Sequence, residues 1–123
     1  MADLSIGEVG KVLQLSLINI DTTQNPPVSA PLDLSGASKV ELSWVITDQR
    51  NVPQSTLTTV MMAITNSLGG IVQYAFLAND LVRPPTMGKT GMFRFSVKVT
   101  FVSGTILISA EDGRLTIKDD SVL

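Results

Sequence analysis

From residue 92 to residue 101 the chain alternates without a break. Phe93, Phe95, Val97, Val99 and Phe101 fall on one side; Arg94, Ser96, Lys98 and Thr100 fall on the other. Successive side chains of a strand point to opposite faces, so an extended segment gathers all five apolar residues on one surface. At 3.6 residues per turn the same five would spread around a helix. A chain anchored by this segment has to build a sheet, and a sheet with one apolar face needs a second layer to cover it.

The remaining patterns agree. Val40, Leu42, Trp44 and Ile46 alternate with Glu41, Ser43 and Val45. Leu13, Leu15 and Leu17 alternate with Gln14 and Ser16, after which Ile18 and Ile20 sit on the opposite face. One extra residue in the strand, a bulge, would produce that switch. Shorter strands are predicted at 72–76, 105–109 and 115–117, and the β-branched composition of 57–64 favours a strand there as well. Gly69-Gly70, Ser103-Gly104 and Glu111-Asp112-Gly113 lie between strand-like runs and read as hairpin turns. Asn25-Pro26-Pro27 and Arg83-Pro84-Pro85 mark longer loops. No helical period is sustained; at most one turn of helix is expected near Asn79-Asp80-Leu81. The expected architecture is all-β: an immunoglobulin-like antiparallel β-sandwich of about seven to eight strands. It forms one domain over 1–123 with its core at about 11–118, and the polar first ten and last five residues are expected to be arms outside that core.

Composition narrows the chemistry. The chain has no Cys and no His. Disulfides, thiolate metal sites and a Cys nucleophile are excluded, and the usual general base is missing. Nine Lys and Arg against eleven Asp and Glu give a net charge of -2, which argues against a basic nucleic-acid footprint. The longest apolar run, Val60-Met61-Met62-Ala63-Ile64, is far short of the ~20 residues that cross a bilayer as a helix. The opening residues lack the basic and apolar regions of a signal peptide, so synthesis in a cytoplasm is expected.

Motif by motif, the structural reading is the stronger one. Gly88-Lys89-Thr90 matches the end of a phosphate-binding loop, but Arg83 stands where that motif needs its first Gly, and the segment leads into a strand rather than a helix. Glu111-Asp112 and Asp119-Asp120 are neighbours in sequence, and neighbours on a strand point apart. A calcium site would need Asp33, Asp80 or Asp112 to converge. Ser and Thr are abundant, yet a nucleophilic Ser needs a base and no Ser-x-x-Lys context is present. Trp44 and Tyr74, the single indole and phenol, lie on alternating apolar faces and read as core. No cofactor or metal is expected.

One stretch is distinctive: Leu32-Asp33-Leu34-Ser35-Gly36-Ala37, leading into Lys39-Val40-Glu41-Leu42-Ser43-Trp44. Gly69-Gly70 precedes the Tyr74 strand, Asp80 follows it, Gly91 precedes the long alternating strand, and Gly104 with Leu115-Thr116-Ile117 closes the pattern. Over residues 11–118 this resembles the N-terminal domain of the upper baseplate protein family of tailed bacteriophages. In the turn, Gly36 can take a positive φ while Asp33 or Ser35 bonds the local backbone. The loop at 83–90, with Pro84 and Pro85, replaces the polar turn that the family pattern has after Asp80. Family members continue into a long C-terminal region; with the sequence ending at Leu123, no receptor-binding module is expected in it.

The resemblance implies assembly rather than catalysis. The expected role is a non-enzymatic virion structural protein, made in the host cytoplasm and placed in the tail, baseplate or fibre-attachment region. A head-decoration or neck protein is one alternative, and an Ig-like module binding glycans or a host surface is another. Expected partners are copies of the same chain and other virion proteins, with no nucleic acid, membrane or small-molecule substrate. A low charged fraction of 16% and a mean hydropathy of +0.30 suit a surface partly covered by neighbours. The candidate contacts are Leu4, Ile6 and Val9 of the N-terminal arm, Val28, Pro84, Pro85 and Met87 of the proline loops, and Val122 and Leu123 at the C-terminal end.

Overall fold

A computed structural model describes residues 4–21, 23, 25–50, 52–78, 80–82, 90–108 and 113–118. Among them there is no helix, and the fold is all-β. The largest sheet runs in the order β1 (Leu4–Ser5), β11 (Gly113–Lys118), β9 (Thr90–Phe101), β5 (Ala37–Thr47), β6 (Thr58–Met61). Here β10 (Ile106–Ile108) also pairs with β9. A second sheet has the order β2 (Val12–Ser16), β8 (Ile71–Ala75), β7 (Ala63–Asn66), and β3 (Ile18–Asp21) and β4 (Val28–Pro31) form a two-stranded ribbon. All pairings are antiparallel except β1 with β11.

The alternation of β9 and β5 is what closes the core. Phe93, Val97 and Val99 of β9 and Val40, Leu42, Trp44 and Ile46 of β5 are buried on one side of the large sheet. Val72 of β8 and Leu13 of β2 face them from the second sheet, with Phe76 just beyond β8. Aromatic rings bridge the layers. Trp44 lies 6.0 Å from Tyr74, 5.7 Å from Phe76 and 5.4 Å from Phe93, centroid to centroid. These tilted and edge-on arrangements are favoured by ring quadrupoles.

Three connections between strands differ from the sequence expectation. The phase switch after Leu17 is a change of sheet rather than a bulge. Leu17 ends the pairing of β2 with β8, donates its N–H to the Gly70 carbonyl (2.8 Å) and accepts from Leu32 N–H (2.9 Å), after which β3 pairs with β4. The run at 57–64 likewise divides at Met62, whose N–H reaches the Val40 carbonyl (2.8 Å); β6 lies in the large sheet and β7 in the small one. Joined through Leu17 and Met62, and with β10 and β11 taken as one run along β9, eleven strands reduce to eight. The third difference concerns the hairpin expected at Glu111-Asp112-Gly113: Glu111 and Asp112 lie outside the described residues, and the strands on either side, β10 and β11, pair with β9, on residues 98–100 and 90–95, rather than with each other. Gly113 opens β11, and the Phe95 ring fills the place its side chain would take.

The N-terminal arm is also a correction. Leu4 is 2% exposed and belongs to the core, because β1 lies against β11 and the next turn is tied down. Gly7 N–H donates to the Leu81 carbonyl (2.8 Å) and Gly10 N–H to the Phe76 carbonyl (2.7 Å). A two-residue strand whose partner is more than a hundred residues away leaves no period to read.

The 33–37 turn forms partly as expected. Asp33 Oδ1 accepts from Ser35 N–H (2.9 Å), and this bond holds the Asp33 carboxyl below its usual pKa. Gly36, however, is not among the glycines of positive φ, and a Cβ there would meet only Phe101 Cδ1 at 3.9 Å. Gly36→Ala is therefore expected to raise stability by about 0.5 kcal/mol, through a less flexible unfolded chain. A lowered midpoint in urea would contradict this.

Candidate functional site

The inner layer is not closed everywhere. Between the second half of β9 with β10 on one side, and the β2–β3 corner on the other, lies an open groove of about 680 Å³. Val97 and Val99 form part of its lining, with Leu107 and Ile108 beside them. Leu17, Ile18, Asn19 and Ile20 face them, joined by Ser16 and Leu32. Among the described residues no Asp, Glu, Lys or Arg lines the groove.

Its rim is apolar and open to solvent. Ile18 is 58% exposed, Ile20 55% and Ile108 66%. Ile106 stands on the outward face of the large sheet, opposite Thr100. Every residue of β10 is exposed, and among the described residues β10 has a strand partner on one edge only. An uncharged apolar edge strand of this kind is what proteins normally shield, because its free N–H and C=O groups accept another strand.

The candidate contacts divide in three. Leu4 is buried, and Ile6 packs against the core, so both face inward. Val9 and Val28 are exposed; Val28 pairs with Asp21 at the end of the β3–β4 ribbon. Pro84, Pro85, Met87, Val122 and Leu123 lie outside the described residues. The groove residues were not singled out from the sequence. The signal was present in Ile106-Leu107-Ile108, which does not alternate, and in the reversed phase of Ile18 and Ile20.

The polar candidates serve the fold. Asp80 Oδ2 accepts from Tyr74 Oη (2.6 Å) and from Leu77 N–H (2.7 Å), so it fastens the bend after β8. Asp48 does the same after β5, accepting from Arg50 N–H (2.8 Å) and Val52 N–H (3.0 Å). Asp112 and the residues 83–89 lie outside the described residues, and Thr90 opens a strand. Among the described residues no three Asp or Glu side chains converge on a point that could hold a metal ion. The six aromatic residues are all described, and none is exposed.

Burial, then the bond to Asp80, pushes the Tyr74 hydroxyl up to about 12. The unfolded chain, with a phenol near its ordinary value of 10, loses its proton first. The stability this contact gives is complete below about pH 10 and falls as the pH climbs from there through about 12. Tyr74→Phe is expected to flatten that part of the profile, read from urea midpoints at stepped pH. An unchanged slope would show that another group sets it.

No protein-family model matches the chain, and comparison with curated proteins finds no significant relative.

Proposed function

We propose that this protein is a non-enzymatic structural component of a bacteriophage particle, an immunoglobulin-like β-sandwich that works by protein–protein contact. The observation that carries the reading is the open apolar groove with its exposed isoleucines and single-sided β10 strand. A soluble monomer gains nothing from such a surface, whereas an assembling subunit needs one. The sequence pattern from the Asp33 turn to Ile117 supports a place in the tail, baseplate or fibre-attachment region. Head decoration or a neck position would use the same surface. A glycan-binding role has less support, because sugar platforms need exposed rings and every ring here packs in or against the core.

The test is incorporation into the parent particle, measured by mass spectrometry of purified virions. The unmodified chain should be present in many copies. Ile108→Lys, a change at an exposed position, should keep the fold by circular dichroism and lose incorporation. Absence of the chain from purified particles would overturn the proposal.

A further inference from the structure

We infer that the groove is closed by a second copy of this chain, with the two β10 strands pairing antiparallel about a two-fold axis at Leu107. This rests on the assembly reading above and names the partner at the same surface.

Three observations favour a second copy. First, β10 spends only one edge on β9 among the described residues, and an antiparallel pair of identical strands needs nothing but a two-fold axis to be complementary. Ile106 of one copy would then face Ile108 of the other, with Leu107 opposite Leu107. Second, among the described residues no Asp, Glu, Lys or Arg lines the groove or belongs to β10, so the described lining sets no like charges against each other on self-approach. Among the described residues the nearest cation on the outward face is Lys98, in register with Ile108 on one side and with Glu41 on the other; the Glu41 carboxylate lies 3.5 Å from Lys39 Nζ. Third, the area suits a repeated contact. Covering the exposed parts of Ile18, Ile20, Ile106, Leu107 and Ile108 removes about 300 Å² of apolar side chain per copy. A stable isolated pair buries about 800 Å² per partner. The pair is therefore weak alone and becomes firm where other contacts already hold copies together.

The absence of cysteine makes the test clean, since a single introduced thiol has no competitor. Directly opposed residues of antiparallel strands bring Cβ atoms to about 4.5–5.5 Å, close enough for a disulfide after small adjustment. Leu107→Cys is compared under mild oxidation with Val102→Cys, which is 80% exposed beyond the end of β9. The Leu107→Cys chain should cross-link about tenfold faster, and adding Ile108→Lys should remove the advantage. Sedimentation of the unmodified chain from about 10 μM to about 1 mM should show a shift from monomer toward dimer. Equal cross-linking rates together with an ideal monomer throughout would overturn the two-fold contact. If Ile108→Lys still abolishes incorporation in that case, the assembly reading survives with a different partner in the groove. If the variant is incorporated as well as the parent, the groove is not the assembly surface and the two-fold contact falls, whereas absence of the unmodified chain from the particle is what overturns the assembly reading itself.

Discussion

Replacing Gly70 with alanine should cost about 3 kcal/mol. The residue has φ +68, and an added Cβ would sit 2.5 Å from the Leu17 carbonyl oxygen, 2.9 Å from that of Leu32 and 3.0 Å from Leu32 N. All three obstacles are backbone, so no rotamer change relieves them. They are also tied together: Gly70 O accepts from Leu17 N–H at 2.8 Å, and Leu17 O accepts from Leu32 N–H at 2.9 Å. A left-handed conformation costs a non-glycine residue about 1–2 kcal/mol, and overfilling a packed site adds about 1–3. The expected result is a lower urea midpoint with an unchanged m-value. A loss below about 1 kcal/mol would mean that the three segments meeting there separate easily.

Trp44→Ala should cost about 3–5 kcal/mol, the range for deleting a large buried ring. The indole is 2% exposed and is the contact through which β5 touches both Tyr74 and Phe76 of the opposite layer. Its loss leaves Phe93 and Phe76, which already meet edge-on at 5.6 Å, to hold that part of the core. Domains of this size have about 5–15 kcal/mol in total, so the variant should sit near its unfolding threshold at ordinary temperature. Trp44→Phe keeps a ring in the site and should recover much of the loss. Thermal melts of the three proteins by far-ultraviolet circular dichroism give the comparison. Equal melting temperatures for the alanine variant and the parent would refute the bridging role.

The segments readable from sequence are those whose burial is one-sided and long. In β9 and β5 the inward positions are apolar over most of their length, and the pattern needs no knowledge of neighbours. Tyr74 and Trp44 read correctly as packing residues for the same reason. Strands β1 and β4 did not register. The first is two residues long, and the second is exposed at all four positions, so neither has a buried face to leave a period. The phase reversal at Ile18 was visible, but its cause was not, because a bulge and a change of sheet leave the same trace in one dimension. The groove was hidden for a related reason: Ile18 and Ile20 are sequence-distant from Ile106-Leu107-Ile108, and only the fold puts them across from one another.

The parallel pairing of β1 with β11 bears on how the protein responds to tension. Leu4 is level with Ile117, and Ser5 with Lys118. A pull that draws residue 4 one way and residue 118 the other slides the two strands lengthwise past each other, so their cross-links are strained together instead of peeling one at a time. The buried Leu4 side chain acts as a peg against that slip. A subunit loaded along this line would give way at a higher force than one whose outermost strands run in opposite directions.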